Sequence, residues 1–278
     1  MATQEEFKNF ENMVRGKNRA TERTKHALRD KLGLDEATLG KFVHGRPDGP
    51  LSPAYLQLFA ALEGMFLRMF GSATIGRAKC RCCGGDLLDD ADPWWKAQQI
   101  QLEQGAYRFV DRLLKASLGG VLLMSILGQG QSIDLMCLHR LVAPNIHPIG
   151  QWIEMARSAR GVNHDWELTV FRSRDGQSYG PVSDGRMRKW RSGQDLLPMG
   201  LALAMIEGTA AIARLKHALL AARTLALAID VVQATAARSE ALGRRPAQEV
   251  VAARLKHLEQ HLWIGLGTLS STSPRQEG

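Results

Sequence analysis

Apolar residues form stripes at spacings of three and four along much of this chain, which predicts helices over most of its length. The clearest case runs from Pro53 to about Phe70. Tyr55, Leu58, Phe59, Leu62, Met65, Phe66 and Met69 form its stripe, Ser52 caps it and Pro53 takes its first position. Upstream, Ala20–Leu32 reads as an exposed amphipathic helix ended by Gly33. Asp35 caps a short helix over Glu36–His44, and Gly45–Pro50 is a turn. Downstream, Pro93-Trp94-Trp95 opens a helix expected over about 94–116, followed by a second at 119–128. Gly128–Ser132 then reads as a loop, and Ile133–Val142 as a short helix before Pro144. His147–Gly161 is expected helical, with Trp152, Ile153, Met155 and Ala156 inward. Gly185–Ser192 is a basic helix. An Ala/Leu-rich run extends from Pro198 to about Leu242, and Ala247–Leu262 is the last helix.

Two segments escape the helical period. Gly71–Asp92 is rich in Cys and Gly and ends in an acidic cluster. Trp166–Phe171 is β-prone, and with the polar, Gly-rich stretch Arg172–Asp184 it suggests a short hairpin. The fold class expected is therefore mainly α, with helix-turn-helix-like segments, at most a minor β-hairpin and a single zinc knuckle. The expected division is an N-terminal module at 1–72, a Cys-rich loop with a helical segment at 73–146, a helical domain at 147–267 and a loose tail at 268–278. The main boundary falls near Pro144–Pro148.

One pattern occurs twice. Leu39-Gly40-Lys41-Phe42-Val43-His44-Gly45 and Met187-Arg188-Lys189-Trp190-Arg191-Ser192-Gly193 share an apolar residue, then Lys and an aromatic, then Gly. Pro50 and Pro198 each follow five residues after that Gly. The spacing predicts a short basic helix, a Gly stop, a brief loop and a packing helix. The segment from Ala20 to Phe70 resembles the lambda-repressor type of helix-turn-helix. That resemblance implies a second helix lying in the major groove of DNA, with Glu36, Thr38, Lys41 and His44 on its exposed face and Arg46 just beyond. Met187 to about Ile206 resembles only the back half of such a module. It carries more charge, since Arg186, Arg188, Lys189 and Arg191 crowd around Trp190, which is expected to be a core anchor. Arg and Lys at such positions hold phosphates or read guanine.

Charge and cysteine content refine this picture. The formal charge of +8 and pI of about 9.6 lean toward polyanions. Four cysteines at this length make no disulfide framework, so a reducing cytoplasm is expected. Met1–Arg19 lacks the apolar core of a signal peptide, and the apolar runs Ser117–Leu127 and Met199–Ala213 read as buried helices rather than membrane spans. Cys80-Arg81-Cys82-Cys83-Gly84-Gly85 looks like one knuckle of a zinc ribbon. A structural zinc ion needs four ligands, and Cys137 with His139 would complete a set with Cys80 and Cys83. His257 and His261 share a spacing of four, expected to form an exposed polar face. No nucleotide-binding glycine loop or G-x-S-x-G elbow occurs.

The expected function is a DNA-binding regulator that reads duplex DNA, with its Ala/Leu helices serving a homodimer or a protein partner. A helical adaptor that meets acidic partners, and a metal- or thiol-dependent enzyme, are the other classes open.

Overall fold

A computed structural model describes residues 60–64, 66, 92–102, 106–127, 135–169, 171–172, 178–179, 182–195, 197–236 and 245–271. The described chain is mainly α. Its helices are α1 (Asp92–Ala97), α2 (Ala106–Leu127), α3 (Leu135–Leu141), α4 (Pro148–Arg160), α5 (Asp184–Arg191), α6 (Met199–Met205), α7 (Ile212–Thr235) and α8 (Ala247–Ser271). Residues 60–64 and 66 are also helical. The β-structure among these residues is one antiparallel pair, β1 (Phe171–Arg172) with β2 (Ser178–Tyr179), Phe171 opposite Tyr179.

Helices α2 and α7 make the centre. Residues 218–229 of α7 are all buried, which no single-sided amphipathic helix allows. Such a helix can be covered in two ways, by enclosure within the chain or by pairing with another copy. Enclosure is what occurs, with α2, α3, α4 and α8 all packing on it. Trp152 in α4 is wholly buried, and its Nε1 donates to Leu215 O at 2.8 Å, fixing α4 against the start of α7. The core is continuous from Phe66 to Leu258. The Pro144–Pro148 break, expected to separate domains, is therefore a turn inside one core. Gln248 of α8 straps it by donating to Ala143 O and Ile146 O.

Three expected helix boundaries are corrected. The helix expected over 94–116 divides after Ala97. Gln99 stands at φ 58°, and the bonds Gln99 N to Lys96 O and Ile100 N to Trp95 O close a left-handed stop. The run 198–242 also divides. Gly208 at φ 77° and Thr209, whose hydroxyl donates to Ile206 O, end α6 before α7 begins. The last helix, expected to finish near Leu262, continues to Ser271 and includes part of the expected loose tail. The β-prone reading of Trp166–Phe171 gives way to a 3-10 turn over Asp165–Thr169, followed by strand at Phe171–Arg172.

The expected break between 116 and 119 is absent, and Gly119 carries the reason. A Cβ there would lie 2.2 Å from Leu62 O and 2.9 Å from Leu62 C. Gly119-Gly120 thus stays inside α2 because the helical residues 60–64 cross it at backbone contact. Arg112 Nε donates to Glu63 Oε2 at 2.9 Å and Phe66 enters the core beside this crossing. Gly119→Ala is expected to destabilise the protein by about 2 kcal/mol. Overpacking against backbone costs about 3 kcal/mol, and the better helix propensity of Ala returns about 1. A shift of the urea midpoint checks this. Faster proteolysis within 60–66 is expected to accompany it.

Buried charge joins α2 to α8. Arg254 Nε and Nη2 meet Asp111 Oδ1 and Oδ2 at 3.0 and 2.6 Å, with the two side chains 5% and 3% exposed. Arg254 Cζ also lies 5.0 Å from the centroid of the Trp94 ring. No described helix is long and apolar enough to cross a membrane.

Candidate nucleic-acid interface

Helix α5 is the part of the expected interface that falls within the described residues. Ser183 precedes it in extended conformation and Asp184 sits in its first turn, where a carboxylate suits the helix dipole. Met187 and Trp190, three apart, face inward and are 3% and 1% exposed. Trp190 is thus the expected core anchor. Arg186, Arg188 and Lys189 are exposed. Helical geometry puts Arg188 and Lys189 on the side opposite Met187 and Trp190. Arg186 stands to one flank, its Cζ 5.6 Å from the Trp190 centroid, and covers that ring.

The helix ends as its sequence pattern predicts. Gly193 adopts φ 73°, its N–H donates to Trp190 O at 3.1 Å, and Gln194 N donates to Lys189 O at 2.9 Å. These two bonds form the Schellman stop, in which a left-handed residue closes the last turn. Glycine has a second reason here. A Cβ at Gly193 would lie 2.4 Å from His147 Nε2, so the imidazole packs directly on this backbone. Gly150 plays the matching part in α4, where a Cβ would come 2.7 Å from Arg191 O. The two helices cross at backbone contact because both positions lack side chains. His147 Nδ1 accepts from Ile149 N at 3.3 Å and caps α4. Burial lowers its pKa from 6.5 to about 4.

Arg191 differs from its neighbours. The sequence pattern groups it with the DNA-contacting cations, but its guanidinium is held by two carboxylates. Nη1 donates to Asp165 Oδ1 and Oδ2 at 2.9 and 2.7 Å, and Nη2 to Glu154 Oε1. Arg157 joins the same pair, donating to Glu154 Oε2 and lying 3.6 Å from Asp165 Oδ1. Burial pulls the Arg191 pKa down, but the hydrogen bond to Glu154 and the charges of Asp165 and Glu154 outweigh it and hold it above its usual value. Arg191 therefore anchors the last turn of α5 to α4 and to the 3-10 turn. The sequence holds a signal for this. Arg191 follows Met187 by four positions, which turns it toward the buried side. Glu154 and Asp165 carry no such signal, because they reach Arg191 from distant segments.

The packing partner of α5 is α4, but residues 161–183 lie between them. A helix-turn-helix joins its two helices by a turn of about three or four residues. The half-module expected from Met187 onward thus has a scaffold helix that arrives by a longer route. Thr38, Lys41, His44 and Arg46, together with the rest of the first module up to Phe59, lie outside the described residues.

The metal set fares differently. Cys80 and Cys83 also lie outside the described residues. Cys137 and His139 stand two apart on α3, and residues at that spacing do not share a helix face. Cys137 is buried at 3%, whereas the half-buried His139 has Nε2 2.5 Å from Glu259 Oε2 of α8. Among the described residues no group of three or more His, Cys, Asp or Glu is arranged to hold a metal. His257, expected on an exposed face, is instead half-buried. Its ring lies 5.8 Å from Trp94, and its Nδ1 accepts from Arg254 Nη1 at 2.8 Å.

No protein-family model matches the chain, and no curated protein or solved structure matches it.

Proposed function

We propose that this protein is a cytoplasmic DNA-binding regulator that docks the exposed cations of α5 on the phosphates of duplex DNA. One observation carries the reading. Arg186, Arg188 and Lys189 are presented to solvent by a helix whose other side is anchored by Met187, Trp190 and the Arg191 network. Acids near the base of this helix, Glu154 and Asp165, are engaged by Arg157 and Arg191 and do not offset the outward charge. A rigid helix that offers cations with their arginine neighbour engaged elsewhere suits phosphate binding, since charge is supplied without reorganisation. The net charge of +8 favours the same partner. The Ala20–Phe70 module, through its resemblance to lambda-repressor-type regulators, would add Thr38, Lys41, His44 and Arg46 as the base-reading contact.

The test is an anisotropy titration of the full chain against a labelled duplex between about 50 and 200 mM salt. Binding is expected to weaken as salt rises. Arg188→Ala combined with Lys189→Ala is expected to reduce the slope of log affinity against log salt by about 2, one unit for each phosphate no longer neutralised. Both residues are exposed, so thermal stability is expected to stay unchanged. An unaltered slope, or no binding at low salt, overturns the reading. A stoichiometric protein partner recovered free of nucleic acid favours the adaptor instead.

A further inference from the structure

The 3-10 turn beside α5 presents an aromatic side chain to water. Trp166 is 49% exposed, the most exposed large apolar side chain among the described residues. His164 is also exposed, and its ring lies nearly parallel to that of Trp166, at an angle of 10° with centroids 6.3 Å apart. Exposed tryptophan is common on loose loops, but this turn is pinned at every step. Glu167 Oε2 accepts from Asn163 N and His164 N at 2.9 and 2.7 Å. Arg157 Nη1 donates to Asn163 O at 3.3 Å. Thr169 Oγ1 donates to Trp166 O at 2.8 Å and accepts from Val182 N at 3.1 Å. Leu168 and Thr169 are wholly buried. The indole is thus held outward by a fixed backbone.

The turn is also tied to the basic helix. Asp165, the residue before Trp166, takes both hydrogen bonds from Arg191 Nη1 in the last turn of α5. Among the described residues, the carboxylates of this turn and of Glu154 are engaged. Asp165 is held by Arg191 and Arg157, Glu154 by the same two arginines, and Glu167 by two backbone N–H groups. What extends from this unit without a carboxylate partner, among the described residues, is the positive charge of Arg186, Arg188 and Lys189. A fixed aromatic face next to a cationic helix is the arrangement by which proteins bind unpaired nucleotides. The bases stack on the ring, and the backbone tracks the cations.

We propose that Trp166, with His164 beside it, is a base-stacking platform for an unpaired nucleotide, so that the preferred ligand is a duplex with a single-stranded extension. This rests on the nucleic-acid reading of α5 and adds the class of nucleic acid.

The experiment compares two labelled probes with the full chain, a blunt duplex and the same duplex carrying an oligothymidine 3′ overhang. The overhang probe is expected to bind about tenfold more tightly, the range of one stacked base. Trp166→Ala is expected to remove that gain and to leave blunt-duplex affinity within about twofold, while Trp166→Phe retains most of it. Stacking should also quench tryptophan emission in the wild-type protein and less so in Trp166→Ala. Because the indole is exposed, an unchanged melting temperature is expected to confirm that the variant is folded. Equal affinity for the two probes, or a gain that survives in Trp166→Ala, overturns the stacking platform and leaves duplex binding standing. Failure of both probes to bind at low salt overturns both readings.

Discussion

Asp111→Ala is expected to destabilise the protein by about 3–5 kcal/mol, the cost of leaving a buried charge without its partner. The Arg254 side chain is 5% exposed, and its fork faces the Asp111 carboxylate through two bonds. Without that carboxylate, the guanidinium retains His257 Nδ1 and the face of Trp94. A cation–π contact contributes about 1–2 kcal/mol when desolvated, too little to offset the loss. A domain is stable by about 5–15 kcal/mol, so this one change removes a large share. The double variant Asp111→Leu with Arg254→Met is expected to lie within about 2 kcal/mol of wild type, because apolar groups of similar volume replace both charges. Urea denaturation of the single and double variants checks both figures. A loss below about 1 kcal/mol in Asp111→Ala would be incompatible with a desolvated pair.

Acid is expected to weaken the fold through His147. Its imidazole packs on Gly193, and burial lowers the folded pKa to about 4 from 6.5. Between those two values the unfolded chain binds a proton that the folded chain refuses. Stability therefore rises with pH from about 4 to 6.5, levels off above, and is lost as pH falls through that window. A shift of this size corresponds to about 2–3 kcal/mol for a half-buried group. Burial and the neighbouring Lys216 lower His217 in the same direction, so it adds to the slope. His147→Gln is expected to flatten the curve of unfolding free energy against pH and to leave the smaller share from His217. A curve that keeps its full slope in His147→Gln would place the acid sensitivity elsewhere. Because His147 lies under the stop of α5, protonation should loosen that helix first. Hydrogen exchange at Gly193 and Gln194 is the corresponding local readout.

The contrast between α5 and α7 explains how much of this protein its sequence makes legible. The Lys-aromatic-x-x-Gly pattern predicts a helix ending at Gly193, and Trp190 as its anchor, because both follow from local geometry and from period. The same pattern also suggests DNA recognition. What it encodes at Lys189–Gly193 is a helix stop, two backbone bonds closed by a left-handed residue, and any short helix can use one. The Ala/Leu run is visibly too apolar for a surface helix. Its period does not show whether the cover comes from this chain or another, because burial on all sides leaves no stripe to read. Residues 218–229 are covered within the chain.

Pairings across long separations are out of reach of sequence patterns. Arg254 meets Asp111, Arg191 meets Asp165, and His139 meets Glu259, each from different segments. No local rule connects them. The candidate interface is accordingly half legible. The cations of α5 can be named from the sequence, but not which of them an acid already engages. Trp166 belongs by sequence to a β-prone stretch, and its exposure depends on Glu167 and Thr169 binding the backbone around it.

By itself, then, the sequence determined the helical class, the stop at Gly193, and the inward faces of α4 and α5. These depend on backbone conformation and on periods within a few residues. The tertiary structure alone decided that Gly119-Gly120 passes unbroken through α2 while Gly208 ends α6. Glycine permits either outcome, and the approach of Leu62 to within reach of a missing Cβ selects the first. It also decided that Arg191 is held inside while Arg188 and Lys189 face solvent. Charge is a property of the residue, but whether it is free to meet a partner depends on what the fold brings beside it.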